Sequence, residues 1–174
     1  VSGPAYTRLD NDERRRRLIA AGQEIFTRHP VDEVSMAQIA REAGISKALL
    51  YHYFPSKHDF FLAALATGAD ELRRAVEPAA DAEPLDALTS SLSGYLTWID
   101  ERPDTYRMLL QSAASVPEIR ALVEQVRAET AQRILDGLQA DAPLARTAVR
   151  GWLGYMDSAC LDWLEHRDVT RDAL

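Results

Sequence analysis

The chain has 174 residues, 47% apolar and 27% charged, enough to bury the core of one domain or of a small module joined to a larger one. Its net charge of −7 excludes a uniformly basic nucleic-acid coat, and its one cysteine, Cys160, excludes an internal disulfide and a Cys-based zinc site. No apolar run approaches the ~18 residues of a bilayer span, and the opening VSGPAYTRLD is too polar for a signal peptide, so a reducing cytoplasm and no membrane partner are expected. The first residue is Val rather than Met, which leads us to expect a longer chain upstream.

Helix signals dominate the pattern. Asp10-Asn11-Asp12-Glu13 offers cap and first-turn residues, after which Leu18, Ile19, Ala21, Gly22, Ile25 and Phe26 recur at helical spacing until His29-Pro30. Ser35-x-x-Gln38 is a capping box for a short helix with Ile39, Ala40 and Ala43 on one face. Gly44 stands where that helix would end in a left-handed residue, and Ser46 caps a second short helix through Tyr53. Pro55 breaks it, and Ser56-x-x-Asp59 opens a long helix to about Val76. PAADAEP, residues 78–84, reads as a loop. Four more helical runs are predicted near 85–101, 104–113, 117–139 and 144–166, and residues 169–174 read as the entry to a ninth helix. No stretch alternates like a strand and no repeat of 20–50 residues is visible, so the predicted fold is all-α.

Charge is unevenly spread. Residues 1–57 hold nine Lys/Arg against seven Asp/Glu, a net +2, whereas the remainder carries a net −9. A mildly basic head on an acidic body suits a protein with one end on a polyanion. Chance clustering competes with that reading, because four of the nine basic residues form the run Arg14–Arg17, and at ~100° per residue no more than two of them face one phosphate backbone.

The two short helices sharing one turn, beside the first helix, form the skeleton of a helix-turn-helix. Close crossing needs a small residue within the first, Ala40; the turn needs a positive φ, from Gly44; Ile39, Ala43, Ile45 and Leu50 hold the apolar offsets. The second helix would enter the major groove with its N-terminal end leading. There Lys47 reaches a phosphate or a guanine edge, Ala48 lets the backbone approach or touches a thymine methyl, and Tyr51 and His52 donate to phosphates or base edges. Ser35 and Lys57 sit at helix N-termini, where backbone N–H groups favour a phosphate. Phe54 reads as core; Tyr53 is evenly divided between core and contact.

The stretch VSMAQIAREAGISKALLYHYFPSKHDFFLA resembles the DNA-binding signature of the tetracycline-repressor-like (TetR) family of bacterial regulators, above all in Gly44-Ile45-Ser46-Lys47, Leu50-Tyr51-His52-Tyr53-Phe54 and Ser56-Lys57. The matching region is about 12–72. The resemblance implies an N-terminal arm (1–11), a three-helix DNA-binding domain (12–55, with the motif at 35–54) and a C-terminal ligand-binding and dimerisation domain (56–174). It implies a homodimer that binds a palindromic double-stranded operator, most simply as a repressor, and that a small-molecule effector releases. No cofactor or metal is called for. Carried over by position, the DNA contacts are Ser35, Gln38, Ser46, Lys47, Ala48, Tyr51, His52 and Lys57. Family members usually end in two long helices, whereas here the chain stops as the second begins, so either a further helix is expected beyond Leu174, the favoured reading, or the dimer is built differently.

The 144–166 run is apolar on more than one side: Val149, Trp152, Met156, Ala159 and Trp163 form one stripe, Leu153, Leu161 and Leu164 fall elsewhere, and Gly151 and Gly154 permit close approach. A second apolar stripe calls for a partner. Tyr95, Trp98, Tyr106, Leu110, Trp152 and Met156 are candidates for a pocket taking an apolar or amphipathic effector, with Met108 and Leu109 nearby; ordinary core is the competing reading for each. The acidic body disfavours an anionic effector unless Arg102 or Arg107 faces inward. A small helical enzyme and a helical adaptor that does not bind DNA are the rival classes. Against the enzyme, the four histidines show no metal-ligand spacing, there is no GxSxG or Gly-rich phosphate loop, and Cys160 sits in an apolar helix.

Overall fold

A computed structural model describes residues 5–29 and 31–174, with side chains from residue 11 onward. Pro30 and the first four residues of the expected arm lie outside the described residues. The elements are α1 (Ala5–Arg28), a 3-10 turn (Val31–Glu33), α2 (Met36–Glu42), α3 (Lys47–Tyr53), α4 (Lys57–Ala75), α5 (Pro84–Glu101), α6 (Pro103–Ser115), α7 (Pro117–Gly137), α8 (Pro143–His166) and a closing 3-10 turn (Arg171–Ala173). Among the described residues there is no strand. The fold is all-α, as the periodicity indicates.

The chain divides into two compact units between Thr67 and Gly68, inside α4. In the first unit Leu18, Ile19, Ile25 and Phe26 of α1 are buried with Ile39, Leu50, Phe54, Phe60 and Phe61. The rings of Phe26, Phe54, Phe60 and Phe61 meet in tilted or edge-on pairs at 4.8–5.9 Å. Gly22 is required by close approach, since a Cβ there would lie 2.4 Å from the Phe60 ring.

The first helix is already formed at Ala5, the first described residue, ahead of the Asp10–Glu13 cap signal. No Pro or Gly interrupts residues 5–21, so nothing stops the helix from continuing past a cap-like sequence. The later caps do act. Ser35 Oγ accepts from the Gln38 amide (3.2 Å), Ser46 Oγ from Leu49 (3.1 Å) and Ser56 Oγ from Asp59 (3.1 Å). Only the forward half of the Ser35 box forms, because the Gln38 side chain donates to Glu42 instead.

In the second unit α5, α6, α7 and α8 each start with Pro at the first turn, where its missing N–H costs nothing. Leu96, Trp98, Ile99, Tyr106, Leu109, Ile119, Met156, Cys160, Trp163 and Leu164 form its core. The two apolar stripes expected on α8 are one broad band. Val149, Met156, Cys160, Trp163 and Leu164 are buried, with Trp152, Leu153 and Leu161 half-buried along it. Gly151 and Gly154 face open space rather than a neighbouring helix of the chain. Residues 169–174 do not start a helix: Arg167, in a left-handed cap (φ 51°), pairs with Asp100 and stacks on Trp163, whose indole N–H donates to the Val169 carbonyl. Arg171 then reaches Thr97, so the segment folds back along α5.

Candidate functional site

In the first unit, α2 ends in a Schellman turn built on Gly44 (φ +67°): the Ile45 amide donates to Ala40 (2.9 Å) and the Gly44 amide to Arg41 (3.2 Å). The turn delivers Ser46 as the cap of α3, while Leu50, wholly buried, fixes which side of α3 faces inward. Lys47, Ala48, Tyr51 and His52 then share the opposite, exposed face, at i, i+1, i+4 and i+5. The Lys47 ammonium lies 5.7 Å from the Tyr51 ring centre, which holds two potential contacts together without an ion pair. Ser35 and Ser46 are exposed, and while each Oγ accepts a backbone amide its hydroxyl hydrogen remains available. Gln38 is half-buried beside Glu42.

Seven of the eight expected contacts thus belong to α2, α3 and their caps. Lys57 differs: its ammonium donates to the carbonyls of Val31 (2.8 Å) and Asp32 (3.3 Å), bracing the 3-10 turn that leads into α2. Tyr53 is half-buried and its hydroxyl donates to Asn11 Oδ1 (2.9 Å), while Phe54 is core with the Arg15 guanidinium over its ring. Arg16 and Arg17 both pair with Glu13, so part of the basic run is neutralised within α1.

The second unit holds a cavity of about 180 Å³ between α4, α5, α6, α7 and α8. Tyr95, Tyr106, Leu110, Trp152 and Met156 line it, with Leu109 beside them. Trp98 and Met108 do not: Trp98 is buried on another side of α5. Neither Arg102 nor Arg107 faces the cavity. Arg102 pairs with Glu71 and Glu101; Arg107 pairs with Asp104 and donates to the Leu164 carbonyl. The charged wall residues are instead Arg127, Arg133 and Asp157, which sequence reasoning missed. A signal existed on α7, where Val123, Val126, Arg127, Thr130, Arg133, Ile134 and Gly137 fall on one helical face that is otherwise largely apolar.

Asp157 organises one end of the cavity. Its Oδ1 lies 3.0 Å from the hydroxyls of both Tyr95 and Tyr106, which are 2.6 Å from each other, so two hydroxyl protons serve three contacts. Its Oδ2 accepts from Arg127 Nε (2.9 Å), and Arg127 also pairs with Glu124. Burial holds both tyrosines well above the ordinary phenol range; at Tyr95 the Tyr106 ring and then Asp157 add to it, whereas at Tyr106 Asp157 adds to it and the hydrogen bond with Tyr95 partly offsets it. For Arg127, burial opposes the charge, but Asp157 and its hydrogen bonds more than offset it. Burial, assisted by Asp157, pushes the Cys160 thiol up to about 12.

A turn-linked helix pair with an exposed polar second helix, joined to a helical unit with a cavity, defines a helix-turn-helix DNA-binding regulator. Residues 18–64 match the model for bacterial regulatory proteins of the tetR family, and residues 84–174 match the tetracyclin repressor-like C-terminal domain. The chain is 26% identical to the transcriptional activator FasR of Mycolicibacterium smegmatis, over 95% of this chain and 80% of FasR. It is 27% identical to the transcriptional regulator YfiR of Bacillus subtilis, over 76% of this chain and 62% of YfiR. A crystal structure of a tetR-family regulator from Streptomyces coelicolor superposes with a TM-score of 0.80 at 32% identity, covering 92% of this chain and 74% of that one. The chain belongs to the TetR family. It is a DNA-binding transcriptional regulator, and its relatives are named as regulators rather than enzymes.

Proposed function

We propose that the protein acts as a homodimer that binds a palindromic operator and is released from it by a small apolar or amphipathic effector. The DNA contacts are Ser35, Gln38, Ser46, Lys47, Ala48, Tyr51 and His52, with Lys57 bracing the 3-10 turn that leads into α2. The observation that carries this reading is the exposed face of α3 behind the Gly44 turn. Arg and Lys supply phosphate affinity, whereas side chains at the N-terminal end of such a helix read base edges. For the dimer, α8 leaves Tyr155 62% exposed beside Gly151 and Gly154, where a Cβ would meet open space. For the switch, one helix serves both units: α4 places Phe60 and Phe61 in the first core, and Leu72 and Val76 on the cavity wall. An effector acts only by preferring one setting of α4 over another.

Activation rather than repression is the second reading, and the name of FasR favours it. A reporter driven by the selected operator, with the regulator present and deleted, separates the two. Repression predicts higher output on deletion, activation lower. Light scattering of the free protein is expected to give a dimer; a monomer at micromolar concentration overturns the palindromic reading.

A further inference from the structure

We infer that the cavity takes an amphipathic anion, an apolar chain whose carboxylate or phosphate head is met by Arg133. The inference rests on the cavity being the effector site. Of the three charged groups on its wall, Arg127 and Asp157 neutralise each other, and Glu124 engages Arg127 a second time. Asp157 is further occupied by two tyrosine hydroxyls, so a cationic head would have to displace a guanidinium to reach it. Arg133 is the remaining charge. It is half-buried, its one hydrogen bond among the described residues goes to Thr130 Oγ1 at 3.3 Å, and no carboxylate of those residues lies within ion-pairing distance. Glu129 feels its charge but is held by Arg73 and Gln125.

The wall therefore carries a net positive charge that an incoming anion would complete. A guanidinium fork matches carboxylate or phosphate oxygens through two parallel N–H bonds, and the Thr130 hydroxyl beside it offers another donor. Along α7, Arg133 stands about 9 Å from Arg127 at 1.5 Å per residue, and the wall back to Val123 extends about 15 Å from it, mostly apolar. A cavity of about 180 Å³ compares with the ~150 Å³ apolar void that holds one benzene ring, so a chain of medium length is the suitable probe.

The test varies only the head group. Octanoate, octyl phosphate, octanol and octylammonium are titrated calorimetrically into the full chain and into its Arg133→Gln and Arg133→Lys variants, with intrinsic tryptophan fluorescence, to which Trp152 on the cavity wall contributes, as a second readout. The expected result is that at least one anion binds about tenfold more tightly than octanol, as a charge-assisted hydrogen bond provides, and that octylammonium binds most weakly. Arg133→Gln should abolish that advantage while octanol binding is unchanged, and Arg133→Lys should restore part of it. The stronger of the two anions identifies the head. Octanol binding as tightly as both anions to the wild type, or an anion preference that survives Arg133→Gln, overturns the inference but leaves the effector site standing. Failure of all four probes to bind the wild type overturns the effector site as well. Should Arg133→Gln not fold, the wild-type series still decides between anion and alcohol.

Discussion

Replacing Gly44 isolates a backbone effect from a packing effect. At φ +67° an L-residue costs about 1–2 kcal/mol, whereas Gly→Ala recovers about 0.4–1 kcal/mol by restricting the unfolded chain. No atom lies within 4 Å of where a Cβ would stand, so no clash adds to the cost. Gly44→Ala is therefore expected to lose about 1 kcal/mol, Gly44→Asn less because Asn tolerates this region, and Gly44→Val more. All three tryptophans belong to the second unit, so their fluorescence does not report this turn. Hydrogen exchange of the Ile45 amide does, since it closes the turn on Ala40 (2.9 Å). About 1 kcal/mol corresponds to roughly fivefold faster exchange. Exchange in Gly44→Ala as slow as in the wild type, or Gly44→Asn as damaging as Gly44→Val, would refute the turn as the reason for this glycine.

Lys57→Ala is expected to destabilise the first unit by about 1 kcal/mol, because a half-buried charged donor to two carbonyls is lost, and to leave the salt dependence of DNA binding unchanged. A drop of ~0.9 in the log–log salt slope would show that Lys57 neutralises a phosphate instead. Cys160 should resist a thiol reagent at pH 8 in the folded protein and react at the rate of unfolding, because its thiol is buried and pushed up to about 12; prompt reaction would contradict that burial. His166 should titrate above 6.5 by NMR, since its ring bonds the Asp162 carbonyl oxygen and the Asp162 carboxylate lies nearby. The raised value means that its stabilising effect is complete below the unfolded value and disappears as pH rises through the folded one. Asp162→Asn should lower the titration, and no change would remove the carboxylate from the cause.

Much of the fold was legible because its punctuation is local. Ser35, Ser46 and Ser56 cap, Gly44 turns, and Pro84, Pro103, Pro117 and Pro143 open helices, each acting on its own neighbours. The start of α1 was hidden because a cap-like sequence also continues a helix. The recognition face could be read for the same local reason: a single buried residue, Leu50, orients a helix of seven residues. The cavity could be read only in part. Periodicity shows that Tyr95 and Trp98 are inside, but not which side of α5 faces a void, and Trp98 faces away from it. Arg127, Arg133 and Asp157 escaped the sequence pattern, because only tertiary packing of α7 against α8 brings Arg127 to Asp157.

Selection of bound sequences from a random duplex pool, repeated with a Lys47→Ala, Tyr51→Ala, His52→Ala triple variant whose helicity and size match the wild type, addresses the recognition face of α3 most directly. The wild type should enrich an inverted repeat with half-sites one helical turn apart, ~34–36 Å, with affinity that falls steeply as salt rises. The variant should retain weak binding without sequence preference. Enrichment of the same repeat by both proteins, or of no sequence by the wild type, would contradict the assignment of α3 as the element that reads DNA.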